Sequence, residues 1–416
     1  MLEAKAVIRP VGLWRNWYIG SLLMAIAISF LGFGLVSPLR TLYARTEGAS
    51  GGEVGLMAAA YLFSAFIFLF PFGWLADRYS RVGLIVGGLI AHGIITLSYM
   101  WATSGEFFIT LRFVEGISSA AVLPAARALL ADLVPEGRNG EAFGLMSAGM
   151  TFGMLGGPPA GTFLADGFGY TLAYILAAAI FVPAILMVLF AFRNYHPQHH
   201  SQHHAASTVA TGSNRQSLPE KLWTTPVIVG VLHRIALGLG PGLAISIWSI
   251  YMADLGFGLT LIGWTYSVYA IPVLLVAPGA GRLSDRYGRL GMMFAGGLLV
   301  SLVWISYGFM STFALFMVMG VVEGSLDAVS RSANDGYLAD HTPPRLRGRA
   351  QAYFNAATQF GSLVGALLAG FLYEINKPLP FIVLGGFELA LMVLALAISV
   401  VSSRRPATMA VPERQF

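Results

Sequence analysis

GWLADRYSRVG, residues 73–83, returns as GRLSDRYGRLG at residues 281–291, 208 positions later in a chain of 416. The same offset carries Gly73, Leu75, Asp77, Arg78, Tyr79, Arg81, Gly83 and Gly88 onto Gly281, Leu283, Asp285, Arg286, Tyr287, Arg289, Gly291 and Gly296. It also carries Glu115 and Gly116 onto Glu323 and Gly324, and Ala131, Asp132 and Pro135 onto Ala339, Asp340 and Pro343. Gly140, Phe152, Gly153 and Gly157 fall on Gly348, Phe360, Gly361 and Gly365. Identities at one fixed offset over about 90 residues mean two copies of one structural unit.

The unit is written for lipid. Apolar residues make up 56% of the chain, charged residues 11%, and the mean hydropathy is +0.71; a soluble domain carries about 25% charged residues. The apolar residues fall into runs of roughly 20, the length that crosses a hydrocarbon core of about 30 Å as a helix. Twelve runs are expected as helices, near 17–39, 55–75, 83–102, 107–130, 141–165, 171–192, 225–250, 259–279, 290–309, 312–334, 349–373 and 380–401. The first is too long for a signal peptide and lacks a cleavage pattern, so it reads as helix 1.

Positive charge beside short loops stays cytoplasmic. With both termini inside, eighteen of the 25 Lys and Arg lie inside, and Arg40, Arg45 and Lys377 lie outside. The remaining four, Arg112, Arg127, Arg234 and Arg331, fall within or at the ends of spans. The basic residues therefore set topology, and the formal charge of +5 is no nucleic-acid signal. With no cysteine, disulfides, palmitoylation and thiolate metal sites are excluded.

Between the halves runs a polar connector with HPQHHSQHHAASTVATGSNRQSLPEK at its centre. His196, His199, His200, His203 and His204 read as part of an unstructured linker rather than a metal site. The expected organisation is an N-terminal six-helix bundle over 1–192, a cytoplasmic linker over 193–224 and a C-terminal six-helix bundle over 225–416. Two parallel repeats suit a carrier that rocks one half against the other about a midplane site.

The loop G-x-L-a-D-R-x-x-R, present after helix 2 and again after helix 8, resembles the signature loop of the major facilitator superfamily. The resemblance covers the whole chain in helix count, repeat and linker position. It implies gating roles for Gly73, Asp77, Arg78 and Arg81 and for Gly281, Asp285, Arg286 and Arg289, with Asp77 bracing the cytoplasmic ends of helices in the outward-facing state. A carboxylate at a helix N-terminus can contribute up to about 2 kcal/mol when partly buried, and Gly73 and Gly83 would permit close backbone approach.

Helix 5 contains GMTFGMLGGPPAG, which sets Gly149, Gly153, Gly157 and Gly161 four apart on one stripe, open to another helix. Pro158 and Pro159 would remove hydrogen bonds and bend it. The G-x-x-x-G-P-x-x-G core is similar to the helix-5 motif of drug:proton antiporters, and Arg112 with Gly116 matches their R-x-x-x-G motif, which implicates the arginine in proton transfer.

Charge inside a span costs about 3 kcal/mol or more and so points to function. Arg112 and Glu115 share a face of helix 4, and Glu323, Asp327, Arg331 and Asp335 recur every four residues along helix 10. Helix 12 adds Glu388, and helix 7 adds His233 and Arg234. Glu115 and Glu323 sit at equivalent places near mid-membrane, and only Glu115 has an evident local partner. A poorly solvated carboxyl group can load a proton on one side and release it on the other. At about 2.3 kcal/mol per charge per 100 mV, one proton drives a gradient of tens-fold. Trp248, Tyr251, Tyr266, Tyr269 and Trp304 read as cavity lining or as packing and interface belt.

No G-x-x-x-x-G-K-[ST], H-E-x-x-H or G-x-S-x-G occurs, so neither a primary pump nor an intramembrane enzyme is indicated. The chain is expected to be an all-α integral membrane protein with twelve helices in two pseudo-symmetric six-helix bundles. It is expected to sit in a plasma or bacterial inner membrane and to export small amphipathic compounds against protons by alternating access. Its partners would be substrate, protons and lipid, with no metal, no cofactor beyond the proton gradient and no obligate protein partner. Export or facilitated passage of a sugar, lipid or metabolite is the alternative, and a membrane sensor is the remote one.

Overall fold

A computed structural model describes residues 12–135, 137–195 and 222–403. The histidine tract and the centre of the linker, together with Lys5, Arg9, Arg215, Lys221, Arg404, Arg405 and Arg414, lie outside the described residues. Among those described there is no strand. In chain order the helices are α1 (Trp17–Thr46), α2 (Gly51–Arg78), α3 (Arg81–Ser98) and α4 (Gly105–Leu133), then a 54-residue stretch, Asn139–Phe192. That stretch is two helices, α5 (139–168) and α6 (170–192), because Gly169 stands at φ 85°, ψ 164°, a conformation open to glycine alone at little cost. The second half repeats the plan as α7 (Thr225–Asp254), α8 (Leu259–Tyr287), α9 (Arg289–Tyr307), α10 (Phe313–His341), α11 (Arg347–Ile375) and α12 (Leu379–Ser403).

Eleven long apolar helical stretches, one of them divided at Gly169, make the expected twelve. The starts of the first four are chemically marked. Asn16 caps α1, Ser80 caps α3 and Ser104 caps α4, while Ser50 and Glu53 form a reciprocal capping box at α2; each such cap contributes about 1 kcal/mol. The backbone keeps helical dihedrals through Pro158 and Pro159, and the break in the stretch falls at Gly169.

Several helices outrun the hydropathy segments. α1 has 30 residues, which at 1.5 Å per residue is about 45 Å against a hydrocarbon core of about 30 Å. Hydropathy marks the lipid-bathed part, and the helix continues through Pro38 and Arg40 to Thr46. Arg40, expected in an outer loop, is therefore a buried helical residue.

Within each half the packing is repeated: α1 lies on α5 and α7 on α11, α2 on α4 and α8 on α10. The halves meet chiefly along two seams, α2 with α11 and α5 with α8, with smaller contacts of α7 on α1 and α2. Both seams close at the end opposite the signature loops. A Cβ on Gly55 would stand 2.8 Å from the Cα of Gly370, and one on Gly263 would stand 2.7 Å from the Cα of Pro159. Glu374 of α11 accepts a hydrogen bond from the Gly51 amide at the start of α2, and Thr260 donates to Asp166 at 2.8 Å. At the basic end, where Arg78, Arg81, Arg286 and Arg289 stand, Gly73, Gly140, Gly281 and Gly348 mark α2, α5, α8 and α11. No atom lies within 4 Å of where a Cβ would be on any of them. The two halves are thus sealed at the far end and apart at the basic end.

Candidate transport site

Glu115 lies near the middle of α4 and is 1% exposed. Its Oε2 accepts from Arg112 Nη1 at 3.0 Å and from the Tyr99 hydroxyl at 2.9 Å. Its Oε1 accepts from Arg40 of α1 and faces His92 Nε2 at 3.1 Å. One carboxylate therefore meets two guanidiniums, a phenol and an imidazole, all buried. His92 is oriented from behind by Ser118, whose Oγ lies 2.8 Å from Nδ1, and the Arg112 guanidinium lies over the Tyr61 ring at 4.3 Å. Breaking a buried ion pair by removing one partner typically costs 3–5 kcal/mol, roughly, because the other charge is stranded.

The second half keeps the tyrosine and loses the cations. Glu323 Oε2 accepts from the Tyr307 hydroxyl at 2.8 Å, and the spacing of sixteen residues from tyrosine to glutamate is the same as for Tyr99 and Glu115. The positions 208 residues on from Arg40, His92 and Arg112 are Trp248, Val300 and Gly320. Around Tyr307 the rings of Trp248 at 4.9 Å, Phe316 at 5.6 Å and Trp304 at 5.6 Å close an aromatic box. Trp248, Tyr251 and Trp304 are thus packing residues. Among the described residues no cation stands within ion-pair distance of Glu323.

Further along α10, Asp327 pairs with Arg331 at 2.7 Å and accepts from the Tyr269 hydroxyl at 2.9 Å. Asp335 is not part of this set; it pairs with Arg234 of α7. Four residues advance a helix by slightly more than one turn, so the acidic row drifts around α10 and its members meet α9, α8 and α7 in turn. Glu388 on α12 is 1% exposed, and its Oε1 has no hydrogen-bond partner among the described residues. His233 and Arg234 are held within the contact of α7 with α9 and α10. Arg234 Nε donates to Asn334 Oδ1 at 3.0 Å, which turns Asn334 Nδ2 toward His233 Nδ1, also at 3.0 Å. The imidazole proton then sits on Nε2, which faces the Met293 carbonyl at 3.1 Å; the ring is neutral and fully used.

The signature loops show one repeated contact. Arg81 pairs with Asp132 and donates to the Ala128 carbonyl at 3.1 Å; Arg289 pairs with Asp340 at 2.9 Å and with Asp285 at 2.7 Å. Arg78 lies over the Trp74 ring at 4.4 Å, and Asp77 has no ion pair among the described residues. Gly73 approaches no neighbour and Gly83 only the Ser80 side chain, against the close approach expected, because the halves are apart at this end.

On α5 the glycine ladder packs on α1 of its own half. Cβ atoms on Gly153 and Gly157 would stand 2.5–2.7 Å from the backbone of Phe30, Leu31, Gly34 and Leu35; Gly161 abuts the Leu35 carbonyl, and Gly149 meets Ala27 and, at 3.8 Å, the Leu23 carbonyl. Pro159 has another use. Lacking an N–H, it leaves the carbonyl of Leu155 without its helical donor, and Ser267 of the opposite half donates to that oxygen at 2.6 Å.

Tyr99, Tyr307, Arg40 and His92 were missed by sequence reasoning. The tyrosines carried a usable signal, being 208 residues apart and each sixteen before its glutamate; His92 falls opposite a valine and carried none.

A profile of the Major Facilitator Superfamily matches residues 22–240 and 227–414. The chain is 24% identical over 348 residues to an uncharacterized MFS-type transporter of Methanocaldococcus jannaschii, covering 83% of this chain and 89% of that one. It is 29% identical over 347 residues to the multidrug resistance protein MdtG of Klebsiella pneumoniae, covering 81% and 82%. Among solved structures, a bacterial homolog of the human lysosomal transporter Spinster, inward-facing and occupied, superposes with a TM-score of 0.74 at 15% identity, covering 94% of this chain and 97% of that one. The nucleoside transporter NupG does so with a TM-score of 0.74 at 15% identity, covering 92% and 99%. Two six-helix repeats, a sealed far end and a profile match across both halves make this chain a multi-pass membrane transporter of the Major Facilitator Superfamily.

Proposed function

We propose that the chain exports small amphipathic compounds in exchange for protons, with Glu323 as the proton carrier and Glu115 as a fixed charge of the scaffold. The observation that carries this reading is the contrast between two equivalent glutamates. Glu115 is an anion balanced by Arg40 and Arg112. Glu323 has a tyrosine hydroxyl and aromatic walls, so a proton on it removes a charge that burial opposes. The likeness to MdtG, named for multidrug resistance, supports the substrate class.

With the basic end cytoplasmic, as positive charge beside short loops requires, the sealed far end faces outward and the arrangement is inward-facing. Asp77 and its counterpart Asp285 would engage when the basic end closes. Asp77→Asn is expected to slow exchange while leaving substrate binding measurable; wild-type exchange rates in that variant would end the gating role.

The test is made in proteoliposomes with an internal pH-sensitive dye, an imposed pH gradient and a panel of lipophilic cations and neutral compounds. Proton movement that follows added compound and disappears in Glu323→Gln supports the reading. Compound movement with no proton movement makes the chain a facilitator and Glu323 a packing residue.

A further inference from the structure

Phe152 and Phe360 are 208 residues apart, each stands immediately before a glycine of the α1 or α7 contact, and they are 68% and 57% exposed. In a membrane protein such exposure means either lipid or the central cleft, and the helical faces decide which. On α5 the residues that meet α8 of the other half are Leu155, Pro159, Thr162 and Asp166. Phe152 precedes them by 3, 7, 10 and 14 positions, the spacing of one helix face. On α11, Ala366, Gly370 and Glu374 meet α2, and Phe360 precedes the last two by 10 and 14. Each ring lies beyond these contacts on its seam helix, toward the basic end. Both therefore face the cleft, one from each half, at matching depth.

The chemistry of the walls follows from the same helices. Residues 54–76, 142–165, 259–281 and 350–373, the inner lengths of the four seam helices, contain no Asp, Glu, Lys or Arg. Glu115 is enclosed within the N-terminal half, and the partly exposed charges of α4 and α10 include Arg127, which lines a pocket with Phe143, Met146 and Met150 of α5, Arg331, neutralised by Asp327, and Asp335, paired with Arg234. Uncharged seam walls with a symmetric pair of rings select a flat apolar group, which stacking and burial reward, over a compact polar one.

We infer that Phe152 and Phe360 form the substrate-binding surface of the cleft and clamp the planar aromatic portion of the transported compound, one ring from each half. This inference rests on the reading of the chain as an exporter of amphipathic compounds. A pair related by the repeat also stays with its substrate as the halves rock, since each ring travels with its own half.

Ethidium is the probe, a planar aromatic cation whose fluorescence rises on leaving water, with tetrapropylammonium as a cation of equal charge and no ring. Full-length protein in nanodiscs is titrated with ethidium, and uptake into proteoliposomes is followed in parallel. Phe152→Ala and Phe360→Ala are each expected to raise the ethidium Kd roughly tenfold, with Phe152→Trp and Phe360→Trp restoring it and tetrapropylammonium competition unchanged. A thermal melt equal to wild type in the alanine variants separates lost binding from lost folding; where a variant fails to melt cooperatively, the tryptophan substitution alone decides, by strengthening or weakening ethidium binding. Wild-type ethidium transport that survives both alanine substitutions overturns the clamp and leaves export standing. No ethidium binding or transport by the wild type overturns both.

Discussion

Glu115 and Glu323 occupy equivalent places in the two halves, and each accepts a hydrogen bond from a tyrosine sixteen residues earlier. Beyond that tyrosine the surroundings part. In the N-terminal half two buried arginines meet one buried glutamate; in the C-terminal half buried Glu323, Asp327 and Glu388 stand against Arg331, while Arg234 is taken by Asp335. One repeat unit has thus been filled with opposite excesses of charge. On the proposed reading, the half with surplus cation holds its carboxylate as a fixed anion, and the half with surplus acid takes the proton. A duplicated fold permits this division because each half folds around its own contacts, α1 on α5 and α7 on α11.

The sharpest way to break the comparison is to neutralise each glutamate in turn. Glu323→Gln is expected to reduce compound-driven proton movement to background while the protein melts at or above the wild-type temperature, because the amide resembles the protonated acid. Coupled proton movement at the wild-type rate would transfer the carrier role to another group. Glu115→Gln is expected to act through folding. It strands two buried arginines, and loss of about 3–5 kcal/mol is typical when one partner of a buried ion pair is removed. Thermal unfolding of the purified protein measures it, and an unchanged midpoint would mean that Arg40 and Arg112 are solvated or paired elsewhere.

A third variant addresses what both halves share, the seal at the far end. Gly55 and Gly370 cross so closely that a side chain on either meets backbone. Gly55→Leu is expected to hold the far end open, with a smaller cost in stability than Glu115→Gln because the seam can part. The chain has no cysteine, so a single cysteine at position 152 reports this directly through labelling by a membrane-impermeant maleimide from the far side. Labelling no faster than in the Gly55 background would show that the seal tolerates the side chain.

How much of this was legible in the sequence depends on what each feature rests on. The helices, the repeat and the glycine ladder at Gly153, Gly157 and Gly161 follow from local periodicity, which survives any tertiary arrangement. Arg40 was misplaced because hydropathy locates lipid and not the ends of helices. The row Glu323, Asp327, Arg331 and Asp335 looked like one site because spacing by four suggests one face, whereas its drift sends Asp335 to Arg234. The Pro158–Pro159 pair was legible as lost donors, but that Ser267 takes the freed Leu155 carbonyl is a fact of the opposite half.

The finest test removes only the two phenolic oxygens. Tyr99 is one of several donors on Glu115, beside Arg40 and Arg112, so Tyr99→Phe leaves the anion well held and should change neither stability nor transport measurably. Tyr307 is the hydroxyl on Glu323, and a hydrogen bond of this kind is worth about 0.5–1.5 kcal/mol, hence a severalfold shift in proton affinity. Tyr307 donates to the carboxylate, so Phe in its place weakens the anion more than the acid. The pH at which exchange is half-maximal should then move upward in Tyr307→Phe and stay fixed in Tyr99→Phe. Equal shifts in the two variants would mean that both glutamates titrate during transport, and the division of labour between the halves would have to be abandoned.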